Sequence, residues 1–192
     1  MSFYIGLLHY PVYNKRGEII ASAITNVDLH DLARLGETYG AKRFYVVNPI
    51  KEQQDLARRI CRHWVSGYGS LYNSDRKEAL SLISVVPTLE VSMAEIKESE
   101  GELPIVMATD AGKCGGRRVS YAVAREIVAG ARTVMILFGT AWGMAQELIS
   151  KADYLLEPIY GVSHYNHLSV RAAAAITLDR LCSQFTNPQR SG

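Results

Sequence analysis

The sequence predicts an α/β protein: a parallel sheet with helices on both faces. Three observations carry this. Residues 133–138 form an unbroken apolar run with three β-branched members, as a strand buried on both faces requires. Such runs alternate with segments of helical period along most of the chain, which calls for crossover connections and parallel strands. The strands ending near Phe138 and Leu156 are each followed by a loop with glycine at 139, 143 or 161. Open α/β sheets bind ligands beyond the carboxyl ends of their strands, and glycine lets a ligand approach the backbone.

Each element has a local reason. Residues 3–9 are apolar and form the first predicted strand, ended by Pro11, with a polar turn at 14–17. Residues 18–25 suit either an extended segment or a structured loop. Asn26 or Asp28 is placed to cap a helix whose Leu29, Leu32, Ala33 and Leu35 recur at helical spacing, and Gly40 ends it. The second strand is 44–47. Residues 53–64 are amphipathic, with Leu56, Ile60 and Trp64 on one stripe and Arg58, Arg59 and Arg62 facing away. Residues 68–75 contain Gly and Asn and read as a loop, followed by a short helix at 76–80 and a strand at 82–86. A polar helix over 89–100 stops at Gly101, strand 104–109 follows, and then comes a Gly- and Lys/Arg-rich loop over 110–118. Helix 121–129 precedes the 133–138 strand. Residues 144–150 have helical spacing, 154–156 is a short strand stopped by Pro158, and Ser169 opens an Ala-rich helix. Residues 1–186 are expected to form a single domain and 187–192 a frayed tail.

Composition narrows the function classes. A chain of 192 residues with 48% apolar content can bury a core without staples. Cys61, Cys114 and Cys182 are odd in number and far apart, which points to reduced thiols and a cytoplasmic setting. No metal site is expected, because His164 and His167 offer two ligands with no third nearby in sequence. No signal peptide and no membrane span are expected, since no run approaches the ~20 apolar residues a span needs. A net charge of +2 neither demands nor excludes nucleic acid; local clusters matter more.

Three pieces of the C-terminal half carry a resemblance: Leu137-Phe138-Gly139 with Gly143, then Glu157-Pro158-Ile159, then Leu168-Ser169-Val170 with Ala172 to Ala175. Their order and spacing resemble SPOUT (α/β-knot) RNA methyltransferases, which use S-adenosylmethionine (SAM). The whole chain is similar to a small branch of that superfamily described as SAM-dependent RNA methyltransferases. The resemblance implies a C-terminal deep trefoil knot, a homodimer, and an RNA substrate, tRNA or rRNA. It also implies a cofactor site built from Thr109, Leu137, Phe138, Gly139, Thr140, Gly143, Pro158, Ile159, Gly161, Asn166, Leu168 and Ser169.

Four constellations bear on chemistry. Arg34 followed by Gly40 matches the spacing of the motif in ribose-methylating members, with Asp28 where they carry Asn. The resemblance makes Arg34 the catalytic candidate, and a guanidinium fork suits a phosphate contact; pairing with Asp28 or Asp31 on the same helix is the alternative. Asn26, Asp28 and His30 are substrate-side candidates beside it. In the turn 139–143, backbone groups suit the edge of an adenine. Thr140 also suits an N-cap, and Trp142 an anchor for the following helix. In 165–169, His167 stands where ribose methylases carry Asn, Asn166 is one place early, and Ser169 suits a helix cap as well as a site. In 110–118, Lys113, Arg117 and Arg118 suit contacts to RNA phosphates, or a solvated loop. Two other readings stay open: a non-catalytic SAM- or RNA-binding knot protein, and an unrelated nucleotide-binding α/β protein using the loop at Gly112.

Overall fold

The computed structural model describes residues 1–111, 118–163 and 165–183. β1 (Phe3–Leu8) is followed by a small antiparallel hairpin of β2 (Val12–Tyr13) and β3 (Ile19–Ile20), then α1 (Asn26–Tyr39) and β4 (Arg43–Val47). Next come α2 (Lys51–Val65), α3 (Tyr68–Tyr72), α4 (Ser74–Ser81), β5 (Ile83–Val86), α5 (Leu89–Glu100) and β6 (Ile105–Ala108). The C-terminal part holds β7 (Arg118–Val119), α6 (Tyr121–Ala129), β8 (Val134–Gly139), α7 (Gln146–Ser150), β9 (Tyr154–Leu156) and α8 (Val170–Cys182). Among the described residues the main sheet has seven strands in the order β5-β4-β1-β8-β6-β9-β7, every neighbouring pair parallel.

The sheet is covered on both faces, as expected from its apolar runs. Phe3, Ile5 and Leu7 of β1 point into one core with Leu29 and Leu32 of α1, Ala124 of α6, and Ala174 and Leu178 of α8. Tyr4 and Leu8 point into the other, with Ile96 of α5 and Ile149 of α7. This is the period-2 alternation of a strand serving two layers. The alanines of α8 let it lie close to α1 and α6.

Helix ends follow the local chemistry. Gly40 and Gly101 take left-handed φ of 77° and 83° after α1 and α5, where a side chain would be strained. The cap of α1 is Thr25 rather than Asn26 or Asp28: its hydroxyl accepts from the Asp28 N–H, which places Asp28 in the first turn. The expected loop at 68–75 is α3 and the start of α4. Gly69 is there because a Cβ would sit 2.6 Å from the Trp64 ring, so the glycine that read as a loop signal is a packing contact. Edge strand β5 is guarded by Arg58, which donates to the Val85 carbonyl at 3.1 Å.

Candidate active site

Parallel strands deliver their following loops to one edge, and here β6, β8 and β9 lie side by side in the order β8-β6-β9. The two predicted glycine-bearing loops are therefore not adjacent; the end of β6 separates them. Thr109 closes that gap, with its N–H and hydroxyl both donating to the Leu137 carbonyl at 3.1 and 2.8 Å. Asn166, from the loop after β9, donates to the Ala111 carbonyl at 2.8 Å. The Trp142 ring lies edge-on to His167 at 6.4 Å. Contacts from three strand ends thus meet at one place.

The turn after β8 has a different logic from the one expected. A Cβ on Gly139 would stand 2.6 Å from Met144 Cγ and 2.8 Å from its nitrogen, so this glycine is required by the turn's own closure. Ala141 takes a positive φ of 51° and Gly143 one of 100°. The amides of Thr140, Trp142 and Gly143 donate to Leu8, Tyr13 and Thr140 carbonyls, and Gly143 O accepts from Tyr13. These bonds tie the turn to Leu8 at the end of β1 and to Tyr13 of β2. Leu137 and Phe138 are core side chains of the two opposite faces. Thr140 caps no helix, since Ala145 occupies that position for α7. Trp142 is 55% exposed and does not anchor α7.

The loop after β9 is pinned at its start and open in its middle. Glu157 accepts from the Tyr121 N–H at 2.8 Å, and its own N–H donates to Val119. Pro158 is buried and Ile159 half-buried. Gly161 is exposed with no atom within 4 Å of a built Cβ. Val162, Tyr165 and Leu168 are exposed. Ser169 is the N-cap of α8, accepting from the Ala172 N–H at 3.2 Å.

On α1, Arg34 is exposed, and among the described residues its guanidinium forms no ion pair. Asp28 and Asp31, its expected partners, instead face Arg171 of α8 at 3.2 and 3.3 Å. Asn26 is exposed at the start of α1. His30 lies elsewhere, edge-on to Trp64 at 5.4 Å, with Nε2 buried and without a hydrogen bond. Burial holds its pKa down, and nearby Arg76 adds to that. Arg118 is exposed on edge strand β7, while Lys113 and Arg117 lie outside the described residues, as do Cys114 and His164. Burial pushes the thiols of Cys61 and Cys182 up to about 11 and 12. Among the described residues no cluster of three His, Cys, Asp or Glu side chains could hold a metal.

Two residues at this edge carried no signal in the sequence. Arg171 reads only as a charge in an Ala-rich helix. His9 follows β1 and is fully buried, and burial holds its pKa down to about 4 against the charge of Asp28 and the carbonyl of Ala23. A polar residue ending an apolar run was its only local mark.

A family model described as SAM-dependent RNA methyltransferase matches residues 2–183. The chain belongs to that family. Among curated relatives, a tRNA (guanine-N(1)-)-methyltransferase of Oleidesulfovibrio alaskensis is 40% identical over 182 residues, 94% of this chain. This chain spans 42% of that relative's length, so the relative is a much larger protein. A protein of Aquifex aeolicus is 40% identical over 182 residues and is covered to 88%. Among solved structures, TrmJ from Z. mobilis superposes with a TM-score of 0.61 at 16% identity, over 98% of this chain and 71% of that one. The SpoU methyltransferase AviRb from Streptomyces viridochromogenes gives 0.59 at 14% identity, over 94% and 58%. At such identities the likeness is one of fold. It agrees with the parallel α/β fold expected from the sequence.

Proposed function

We propose that this chain transfers the methyl group of SAM to RNA, at the edge where the loops after β6, β8 and β9 converge. The observation that carries the reading is that convergence in a chain matched to the family over residues 2–183. Bound SAM would supply an electrophilic sulfonium methyl, attacked in line by an RNA oxygen or nitrogen that loses its proton, with S-adenosylhomocysteine as the leaving group. The residues present fit it: apolar Pro158, Ile159 and Leu168 offer walls for an adenosine, and Gly161 leaves open space beside them. Thr109 and Asn166 tie the ends of the neighbouring strands and loops to one another at that edge. Gly139 and Gly143 serve by shaping the turn. In-line displacement depends mainly on alignment of nucleophile, methyl and sulfur. Arg34, which forms no ion pair among the described residues, orients a substrate phosphate by a forked contact. Asn26, Arg118 and the basic residues Lys113 and Arg117 add contacts to RNA.

The strand order supports a trefoil knot, because β9 inserts between β6 and β7, two strands that precede it in the chain. A homodimer is supported by the exposed apolar cluster of Trp142, Tyr160, Val162, Tyr165 and Leu168 beside the site, an uncommon cost for a monomer. A cytoplasmic location follows from an RNA substrate; no helix among the described residues is long and apolar enough to cross a membrane. The name of the Oleidesulfovibrio relative makes tRNA the first substrate to test, ahead of rRNA. Whether a ribose oxygen or a base nitrogen receives the methyl is read from the product.

A non-catalytic SAM- or RNA-binding role is favoured by one observation: Asp28, where ribose-methylating relatives carry Asn, is engaged by Arg171. Calorimetry with SAM, followed by transfer of labelled methyl into bulk tRNA and rRNA, decides. Binding with transfer is the expected result. Binding without transfer leaves the non-catalytic role, and ATP binding without SAM binding removes both.

A further inference from the structure

A run of hydrogen bonds lies beneath the turn after β8. His9 is 0% exposed, and its Nδ1 lies 2.9 Å from Ser22 Oγ. Ser22 Oγ lies 2.6 Å from Thr140 Oγ1, and Thr140 Oγ1 donates to the Leu8 carbonyl at 3.0 Å. Proton positions follow from counting donors. Thr140 has one hydroxyl proton and gives it to Leu8. Ser22 then donates to Thr140, and its oxygen accepts from His9 Nδ1–H. Only this assignment makes all three bonds. It leaves Nε2 as a lone pair without a partner.

The bonded groups belong to two parts of the site. Thr140 lies in the turn between β8 and α7. Ser22 lies in the segment that launches α1, where its N–H donates to the His9 carbonyl at 2.8 Å and its carbonyl accepts from Asn48 at 3.0 Å. Two residues further on, the Ile24 N–H donates to Gln53 at 2.7 Å. The turn keeps other ties, from Trp142 to Tyr13 and from Ala145 to Pro11. Losing the His9 side chain takes from the Ser22 hydroxyl one of its two partners, while the backbone ties on either side remain. We infer that His9 is a positioning residue of the transfer reaction: through Ser22 and Thr140 it holds the start of α1, and so Arg34, in register with the cofactor turn. This rests on the function proposed above.

The test is steady-state methyl transfer from SAM into bulk tRNA. His9→Ala lowers kcat by about ten-fold or more, while KM for SAM and for RNA stays within about three-fold, because alignment is lost and binding is not. His9→Asn places an amide donor where Nδ1 stood and restores kcat to within about three-fold of wild type. Ser22→Ala, which removes the bonds to both His9 and Thr140, gives at least the same loss, and adding His9→Ala makes it no worse, because the His9 bond is already gone. Additive losses, a defect confined to KM, no rescue by His9→Asn, or wild-type kcat in Ser22→Ala would overturn the inference. Ser22 is half-buried, so its truncation reports even where His9→Ala fails to fold. Wild-type protein that neither binds SAM in calorimetry nor methylates RNA refutes the proposed function itself, and is recognised before any variant is made.

Discussion

Asp28 on α1 and Arg171 on α8 face one another, with Arg171 Nε 3.2 Å from Asp28 Oδ1. Arg171 also donates through Nη1 to Asp31 at 3.3 Å, so one guanidinium gathers both carboxylates of the first turns of α1. The pairing joins the helix that leaves the proposed cofactor loop to the helix that carries Arg34. It leaves Asp28 and Asp31 engaged away from Arg34.

Asp28 has only 13% of its side chain exposed, so removing its cation strands a partly desolvated charge. Arg171→Ala is expected to destabilise the fold by about 1–2 kcal/mol in urea unfolding. Asp28→Asn removes the charge as well and costs less. Equal costs would show that packing of the Arg171 stem, not the ion pair, sets the stability.

Arg34 is exposed and makes no ion pair among the described residues, so little structure depends on its head group. Arg34→Ala is expected to abolish methyl transfer while SAM affinity stays within about three-fold, the pattern of an interaction made only with the reacting substrate. A large loss of SAM affinity in calorimetry would place Arg34 in the pocket wall instead.

At Gly139 the obstacle to a side chain is Met144, at Cγ and at the backbone nitrogen. Gly139→Ala and Gly139→Val are expected to weaken SAM binding by about ten-fold or more through distortion of the turn, as overpacking at a tight site shifts backbone. Met144→Ala removes only the side-chain clash, so it does not restore binding to Gly139→Ala. Restored affinity in the double variant would show that the backbone nitrogen is no obstacle.

His9 supplies a pH dependence. Its pKa is about 4 folded against 6.5 unfolded, so between these values the unfolded chain binds more protons. The neutral buried imidazole contributes fully above about pH 6.5 and loses its contribution as pH falls towards about 4, a span on the order of 3 kcal/mol. Thermal or urea unfolding across that range should show a shallower slope in His9→Asn than in wild type. Identical slopes would mean that His9 does not titrate on unfolding.

Much of the fold was legible locally. The strands at 44–47, 133–138 and 154–156 announced themselves by apolar β-branched runs, and the ends at Gly40 and Gly101 by glycine after a helical period. The hairpin of β2 and β3 was not legible, because two-residue strands carry no period. Nor was α3, where glycine serves Trp64. The site residues Asn166, Ser169 and the glycines of the turn came from the resemblance; what the structure adds is that Asn166 makes a cross-tie, Ser169 caps α8, and Gly139 closes its turn.

From residues in order alone came the parallel α/β class and the strand-end loops as candidate ligand sites, while the family resemblance added Arg34. Period and turn chemistry act over a few neighbours, and a sequence displays those directly. Only the folded chain decided that β6 lies between the two glycine-bearing loops, that Arg171 claims Asp28, and that His9 reaches Thr140 through Ser22. The Arg171–Asp28 and Ser22–Thr140 contacts join residues more than a hundred positions apart, and their energy exists only once the sheet has brought them together.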